Sequence, residues 1–259
     1  MISVEQTLRE RRSNSKGSLV GYFPAGYPTV QDSTDALIAL ANGGCSVLEI
    51  GIPYSDPVMD GPVIQKATET ALGNGFRIAD VFTIIRSIRA VSDVPILVMS
   101  YWNPILAYGV REFSKNLAAS GGQGLITPDL IPDEASDWIT ISDEFSLERV
   151  FLAAPSSNED RVASAVSNSR GFVYAVSTMG ITGERAQLDS LARKVVERIR
   201  SAGDRPACVG VGVSTAEQVR EVNSYADGAI VGTAFIKAYQ DGGLTALRSK
   251  VSELLVGLD

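Results

Sequence analysis

Eight short apolar segments recur along this chain, and each interval between them is long enough to hold a helix. Each segment is rich in Val, Ile, Leu or aromatic residues and is bounded by turn residues, which is typical of β-strands. The predicted strands are 19–24, 46–52, 95–101, 124–127, 149–153, 171–176, 207–212 and 228–232. Eight β–α units in 259 residues predict a (β/α)8 TIM barrel that forms one domain over residues 1–259.

The intervals carry helix signals. Helices are predicted over 32–41, 193–202 and 216–222, with the last starting at a capping box formed by Ser214 and Glu217. The glycine-rich runs 42–44 and 73–75 predict helix ends. An extra N-terminal helix over 4–11 precedes the first strand and is expected to close the bottom of the barrel.

An open, doubly wound sheet is the alternative architecture for such a chain. A dinucleotide fingerprint, Gly-x-Gly-x-x-Gly, would then be expected after the first strand. The sequence has none there, which favours the closed barrel.

The ionisable residues limit the function. The chain has no histidine, so carboxyl groups are the natural proton carriers at neutral pH, and a Ser-His-Asp triad is excluded. The lack of histidine also argues against a zinc site, and no metal is expected. A net charge of −7, with no basic residue between Lys115 and Arg149, argues against nucleic-acid binding. The acidic residues of that stretch are interpreted as a solvated face.

Two isolated cysteines, Cys45 and Cys208, indicate reduced thiols and a cytoplasmic protein. Residues 1–16 are charged throughout and lack the apolar core of a signal peptide. No run of 18 apolar residues is present, so no association with a membrane is expected.

Two carboxylates flank a loop rich in Pro and Gly that follows the second predicted strand. Because side chains alternate along a strand, Glu49 lies on the opposite side from the aliphatic Leu48 and Ile50 and is predicted to point into the barrel near its C-terminal end. Asp60 lies on the loop eleven residues later. The pair is a candidate for acid–base chemistry. The alternatives are a structural salt bridge for Glu49 and a turn and helix N-cap for Asp60.

Glycine-bearing segments end the last three predicted strands, at 180–183, 210–214 and 228–234. Loops at these positions of a barrel often bind phosphate through backbone N–H groups, to which the hydroxyl of Ser214 or Thr233 would add a donor. Tight turns are the alternative explanation for each glycine. Three tyrosines on or at the end of predicted strands, Tyr22, Tyr101 and Tyr174, are either the wall of an aromatic substrate site or part of the core.

Together these residues resemble the tryptophan synthase alpha subunit family over essentially the whole chain. The matching motifs are GYFPAGYP at 21–28, LEIGIPYSDPVMDGPVIQ at 48–65, YWNPI at 101–105, GLITPDL at 124–130 and GFVYAVS at 171–177, followed by the glycine segments. The chain departs from the family pattern at four positions. Met59 replaces the usual alanine, and Thr127 replaces the usual valine. Ile131 is inserted before Pro132, and Val211 replaces a commonly aromatic residue.

The resemblance implies a lyase that cleaves indole-3-glycerol phosphate to indole and glyceraldehyde 3-phosphate in tryptophan biosynthesis. It implies that Glu49 is the general acid and base, that Asp60 stabilises the indole N–H, and that Thr182 holds Asp60. It places the phosphate and the indole ring against two sets of residues: Gly183, Gly212, Gly232 and Thr233 for the phosphate, and Tyr22, Met99, Tyr101 and Tyr174 for the ring.

The same resemblance implies a partner. A beta subunit would dock on the mouth of the barrel, against 53–62 and the loop around Asn103, in an alpha2-beta2 heterotetramer. The pyridoxal phosphate of that assembly belongs to the beta subunit, and no cofactor is expected in this chain.

Three other functions stay open at this point. The first is another phosphate-binding barrel enzyme, such as an isomerase or a decarboxylating cyclase. A cyclase of this kind usually needs a lysine on a barrel strand, and none of the predicted strands contains lysine. A non-catalytic allosteric subunit and a stand-alone lyase that releases indole are the others.

Overall fold

Helices and strands alternate along the residues that the computed structural model describes, which are 3–176, 185–210 and 212–258, without the side chains of 185–189. Thr182, Gly183 and Val211 therefore lie outside the described residues. The strand segments are β1 Leu19–Pro24, β2 Val47–Gly51, β3 Ile96–Met99, β4 Gly124–Ile126, β5 Glu148–Val150, β6 Leu152–Ala153, β7 Val173–Val176, β8 Ala207–Gly210 and β9 Gly228–Val231.

Helices lie before, between and after these strands. They are α1 Val4–Ser13, α2 Val30–Gly43, α3 Pro62–Gly73, α4 Ile78–Arg89, α5 Trp102–Tyr108, α6 Val110–Ser120, α7 Ser136–Glu144, α8 Glu159–Asn168, α9 Arg185–Ala202, α10 Ala216–Asn223 and α11 Thr233–Leu255, with 3₁₀ turns at Pro132–Glu134 and Val256–Leu258. No helix of the described residues is long and apolar enough to cross a membrane.

The strands close into a barrel. Their order is β5-β4-β3-β2-β1-β9-β8-β7-β6, and every pair is parallel. The two ends of this order, β5 and β6, are separated in the chain by Phe151 alone. They are two parts of one strand, of which the first pairs with β4 and the second with β7. This strand corresponds to the single segment predicted over 149–153. The (β/α)8 barrel is confirmed, and the open sheet is wrong.

The ends of the helices follow the glycine signals closely. α2 ends at Gly43 with Gly44 in the left-handed conformation, and α3 ends at Gly73. The capping box of α10 is displaced by one residue from its prediction: Thr215 is the N-cap, and Gln218 rather than Glu217 reaches back. The Gln218 side chain accepts from the backbone N–H groups of Ser214 and Thr215, at 2.8 and 3.0 Å.

The interior of the barrel is a cluster of inward side chains, one from nearly every strand, and α1 covers it. Val4 and Leu8 of α1 are fully buried against this cluster. Its strand members are Val20, Val47, Leu97, Ile126, Val150, Cys208 and Ile230, with Phe172 just before β7. The outward side chains pack on the surrounding helices. The predicted closing role of the N-terminal helix is confirmed.

A buried carboxylate fixes the start of α1. The Glu148 oxygens accept hydrogen bonds from the N–H groups of Val4 and Glu5, at 2.9 and 3.0 Å. These N–H groups begin a helix, where a negative charge is favourable. Glu148 was expected on the solvated acidic face, and that expectation is wrong because β5 carries the side chain to the covered bottom of the barrel.

We expect truncation of the covering helix to destabilise the whole barrel. Leu8→Ala should lower the free energy of unfolding by about 3 kcal/mol, because the fully buried side chain leaves a cavity. Glu10→Ala, on the exposed side of the same helix, should change it by less than about 0.5 kcal/mol. Urea denaturation of the two variants measures this, and equal effects would contradict the closing role of α1.

Candidate active site

Glu49 is the third residue of β2 and points into the barrel. Its neighbours in register are Tyr22 on β1 and Leu97 on β3. The side chain is 1% exposed and lies above the apolar cluster that α1 covers, toward the C-terminal end of the strands, which we call the mouth. The direction predicted from strand alternation is therefore observed.

The carboxyl of Glu49 has no charged partner in the part of the chain that the structure describes. No ion pair among the described residues includes it, and its Oε2 atom has no hydrogen-bond partner there. Burial raises its pKa to about 8, and the negative charge of Asp60 contributes to the rise. The salt-bridge alternative is wrong for the described residues. A carboxyl with this pKa is mostly protonated at pH 7 and can donate its proton.

Asp60 lies on the loop between β2 and α3 and faces the same space. The Tyr101 hydroxyl donates to its Oδ1 at 3.3 Å, and the Gln65 side chain donates to its carbonyl oxygen at 2.8 Å. The N-cap of α3 is Gly61, without a side-chain cap. The N-cap alternative for Asp60 is therefore wrong. Burial raises the pKa of Asp60, and the bond from Tyr101 opposes that rise.

Two tyrosines lie over glycines of neighbouring strands. A Cβ on Gly51 would lie 2.3 Å from the Tyr22 hydroxyl oxygen, and one on Gly210 would lie 2.4 Å from that of Tyr174. These glycines leave room for both rings at the mouth. Burial raises the pKa of each phenol, and the nearby charges of Asp60 and Glu49 raise it further.

The remaining aromatic-site residues lie at the end of β3. Met99 is its last residue, is partly buried, and is in register with Gly51 and Ile126. Tyr101 is the N-cap of α5, immediately beyond. The structure thus brings Tyr22, Met99, Tyr101 and Tyr174 to one end of the barrel with the two carboxyls.

The backbone at the ends of β8 and β9 leaves an open helix start. Gly232 is the N-cap of α11 and makes no side-chain cap, and Thr233 is the first residue of that helix. Gly212 has a φ of 67°, and a Cβ there would meet nothing within 4 Å. The Ser214 hydroxyl is 3.1 Å from Gln218 Oε1, to which it donates. The positive end of α11 suits an anion such as phosphate.

Comparison with known proteins decides the family. The family model for the tryptophan synthase alpha chain matches residues 8–256. The chain belongs to this family. The tryptophan synthase alpha chain of Leifsonia xyli is 54% identical over 257 residues, which are 99% of this chain and 98% of that one.

Solved structures agree with this family. A structure of Mycobacterium tuberculosis tryptophan synthase matches with a TM-score of 0.93 and 46% identity, over 100% of this chain and 99% of that one. The tryptophan synthase complex of Pyrococcus furiosus matches with a TM-score of 0.83 and 36% identity, over 93% and 98%. The chain is a lyase of tryptophan biosynthesis, and its reaction is the alpha reaction of this family, the cleavage of indole-3-glycerol phosphate.

The departures from the family pattern have different structural settings. Met59 uses its backbone N–H, which donates to the Tyr101 hydroxyl at 2.9 Å. Thr127 is buried, and its hydroxyl has no hydrogen-bond partner among the described residues; nothing in the structure explains it. Val211 lies outside the described residues.

Two contacts at the mouth were not predicted from the sequence. The Tyr101 hydroxyl was expected only in an aromatic wall, yet it bonds Asp60. Asp129 was counted with the solvated acidic face, and although exposed it accepts the backbone N–H of Trp102 at the start of α5. Its position just after a short apolar strand was the available signal, because such positions meet at the mouth.

The rim of the mouth carries exposed apolar side chains. Val58, on the loop after β2, is 75% exposed, and Leu106 of α5 is 54% exposed. Asn103 joins the two elements by donating to the Tyr54 hydroxyl at 3.3 Å.

Proposed function

We propose that Glu49 moves the protons in the cleavage of indole-3-glycerol phosphate. The observation that carries this proposal is its buried carboxyl at the mouth of the barrel, which has a raised pKa and no charged partner among the described residues. The neutral acid gives its proton to C3 of the indole ring, which becomes a cation. The resulting carboxylate takes the proton of the glycerol hydroxyl next to C3. The C–C bond breaks, its electrons restore the indole ring, and the aldehyde leaves with Glu49 protonated again.

Asp60 has a different task in this proposal. Its carboxylate accepts the indole N–H and stabilises the positive charge that develops on the ring after C3 is protonated. The raised pKa of Glu49 and the bond from Tyr101 to Asp60 support this division, because they favour a neutral Glu49 beside an ionised Asp60. Thr182, outside the described residues, would hold Asp60 when its loop closes.

The substrate is held at both ends. Its phosphate lies at the start of α11 against Gly212, Gly232 and Thr233, with Gly183 from outside the described residues completing the set. Its indole ring lies among Tyr22, Met99, Tyr101 and Tyr174. The positive end of α11 supports the placement of the phosphate, and the position of these side chains beside both carboxyl groups at the mouth supports that of the ring. The step uses side chains of this chain alone.

Replacement of the proton carrier tests the proposal. Glu49→Gln should lower the rate of indole formation at least about a hundredfold, since a buried amide cannot donate or accept the proton. Binding of indole propanol phosphate and the far-UV circular dichroism spectrum should persist. Indole release from pure protein and indole-3-glycerol phosphate measures the rate.

Glu10→Gln, on the exposed side of α1 at the other end of the barrel, is the control and should keep the wild-type rate. Retained activity in Glu49→Gln would remove Glu49 from the mechanism. A wild-type chain that binds the phosphate ligand without forming indole would instead be a non-catalytic subunit.

We also propose that a tryptophan synthase beta subunit, which holds the pyridoxal phosphate, docks on the mouth in an alpha2-beta2 assembly. Indole leaves the site through the mouth, and a partner seated there would keep it from solvent. The exposed apolar Val58 and Leu106 support this surface, and the Pyrococcus relative is a tryptophan synthase complex. Cys45 and Cys208 are buried free thiols, which fits a protein that functions in the reducing cytoplasm.

A charge on the rim should weaken that assembly. Val58→Asp should raise the Kd for the beta subunit at least about tenfold, because the carboxylate would be desolvated in the interface. Val256→Asp is the matched control: this valine is 56% exposed, but its 3₁₀ turn lies beside Gly17, before β1, at the opposite end.

Isothermal titration with the beta subunit compares the two variants, and equal affinities would contradict docking at the mouth. Equal rates of indole formation by the wild-type chain with and without beta subunit would indicate a stand-alone lyase.

A further inference from the structure

We propose that Tyr101 is a positioning residue for Asp60, and that Asp129 acts on Asp60 through Tyr101. The proposal rests on the proposed function and deepens it, because it gives the Tyr101 hydroxyl a task separate from the aromatic wall. Three loops at the mouth, those after β2, β3 and β4, are joined by the contacts that carry it.

One hydroxyl holds two adjacent residues of the loop after β2. The Tyr101 oxygen accepts the N–H of Met59 at 2.9 Å and donates its only proton to Oδ1 of Asp60 at 3.3 Å. The donated bond fixes one carboxylate oxygen, and the accepted bond fixes the backbone just before it. Among the described residues no hydrogen bond reaches the other oxygen of Asp60, which can therefore meet a ligand.

The ring that carries this hydroxyl is itself held in place. Tyr101 is buried, and its ring packs on that of Tyr54, with centroids 5.4 Å apart. A buried ring has few alternative rotamers, so its hydroxyl is a fixed point for the loop after β2.

Asp129 fixes the backbone next to Tyr101. Both of its carboxylate oxygens accept the N–H of Trp102, at 2.9 and 3.1 Å. Trp102 is the first residue of α5 and Tyr101 is its N-cap, so this bond sets the position from which the Tyr101 side chain leaves the backbone. Asp129 therefore acts on Asp60 through Tyr101 in this proposal.

The chemical consequence concerns the ionised form of Asp60. A hydroxyl that donates to a carboxylate stabilises its charge, and the bond from Tyr101 lowers the pKa of Asp60 against the effect of burial. Without it, Asp60 takes up a proton at higher pH and loses the charge that stabilises the indole cation.

Tyr101→Phe tests the direct contact, because it removes the hydroxyl and keeps the ring. We expect kcat to fall about tenfold, with KM changed less than about twofold, since the bond matters most when charge develops on the substrate. The acid limb of the pH profile of kcat should move to higher pH. Tyr108→Phe is the control: it removes a hydroxyl at the other end of α5, which accepts from Asn116 at 3.1 Å, and should leave the acid limb in place.

A double-mutant cycle tests the indirect contact. Asp129→Ala should lower kcat when Tyr101 is present and have no further effect when Tyr101→Phe is present. Asp129→Asn, which can still accept from Trp102, should restore most of the loss. Asp129→Leu, which has no acceptor, takes the place of the alanine variant in the cycle if that variant does not fold.

The outcomes separate the two proposals. An unchanged acid limb and kcat in Tyr101→Phe would overturn the positioning role, while the loss of activity in Glu49→Gln would still support the proposed function. Additive effects of the two substitutions would overturn the action of Asp129 through Tyr101. Full activity in Glu49→Gln would overturn the proposed function itself.

Discussion

Burial of the Glu49 carboxyl inside a closed ring of parallel strands is the constraint on which the rest of the site depends. A carboxylate in such a place loses its hydration, and no cation among the described residues replaces it. The neutral form is therefore favoured, and the proton stays on Glu49 at a pH where an exposed glutamate would have lost it. In a chain without histidine, this desolvation supplies the acid that protonation of a carbon atom requires.

The two ends of the barrel use carboxylates in opposite ways. At the bottom, Glu148 is buried but accepts two N–H groups at the start of α1, and Asp227 lies 3.0 Å from Arg12 of the same helix. These charges have partners and hold the covering helix. At the mouth, within the described part of the chain, Glu49 has no charged partner and the Asp60 carboxylate accepts only from a tyrosine hydroxyl. The carboxyl groups at the mouth can have few hydrogen-bond partners among the described residues because α1 and its charged contacts stabilise the bottom of the barrel.

The sequence predicted what depends on periodicity and chain order. Strand alternation placed Glu49 inside the barrel, and the glycine signals placed the ends of α2 and α3, because both follow from local backbone geometry. Contacts between loops could not be predicted from the sequence. The bond from Tyr101 to Asp60 and the bond from Trp102 to Asp129 join residues that lie 41 and 27 positions apart, and their geometry depends on where loops turn after the strands end. Glu148 was wrongly predicted to be solvated for the same reason, since the helix that it contacts, α1, is distant from it in the sequence.

The most direct test of this account is the ionisation of Glu49 itself. Carbon-13 NMR of protein labelled at the glutamate side-chain carboxyls, with Glu49→Gln to assign the resonance, gives the pKa of this group alone. We predict a titration near pH 8, with the acid form predominant at pH 7. A titration near 4.5, the ordinary value for glutamate, would show an ionised Glu49 at neutral pH and would contradict its role as the proton donor.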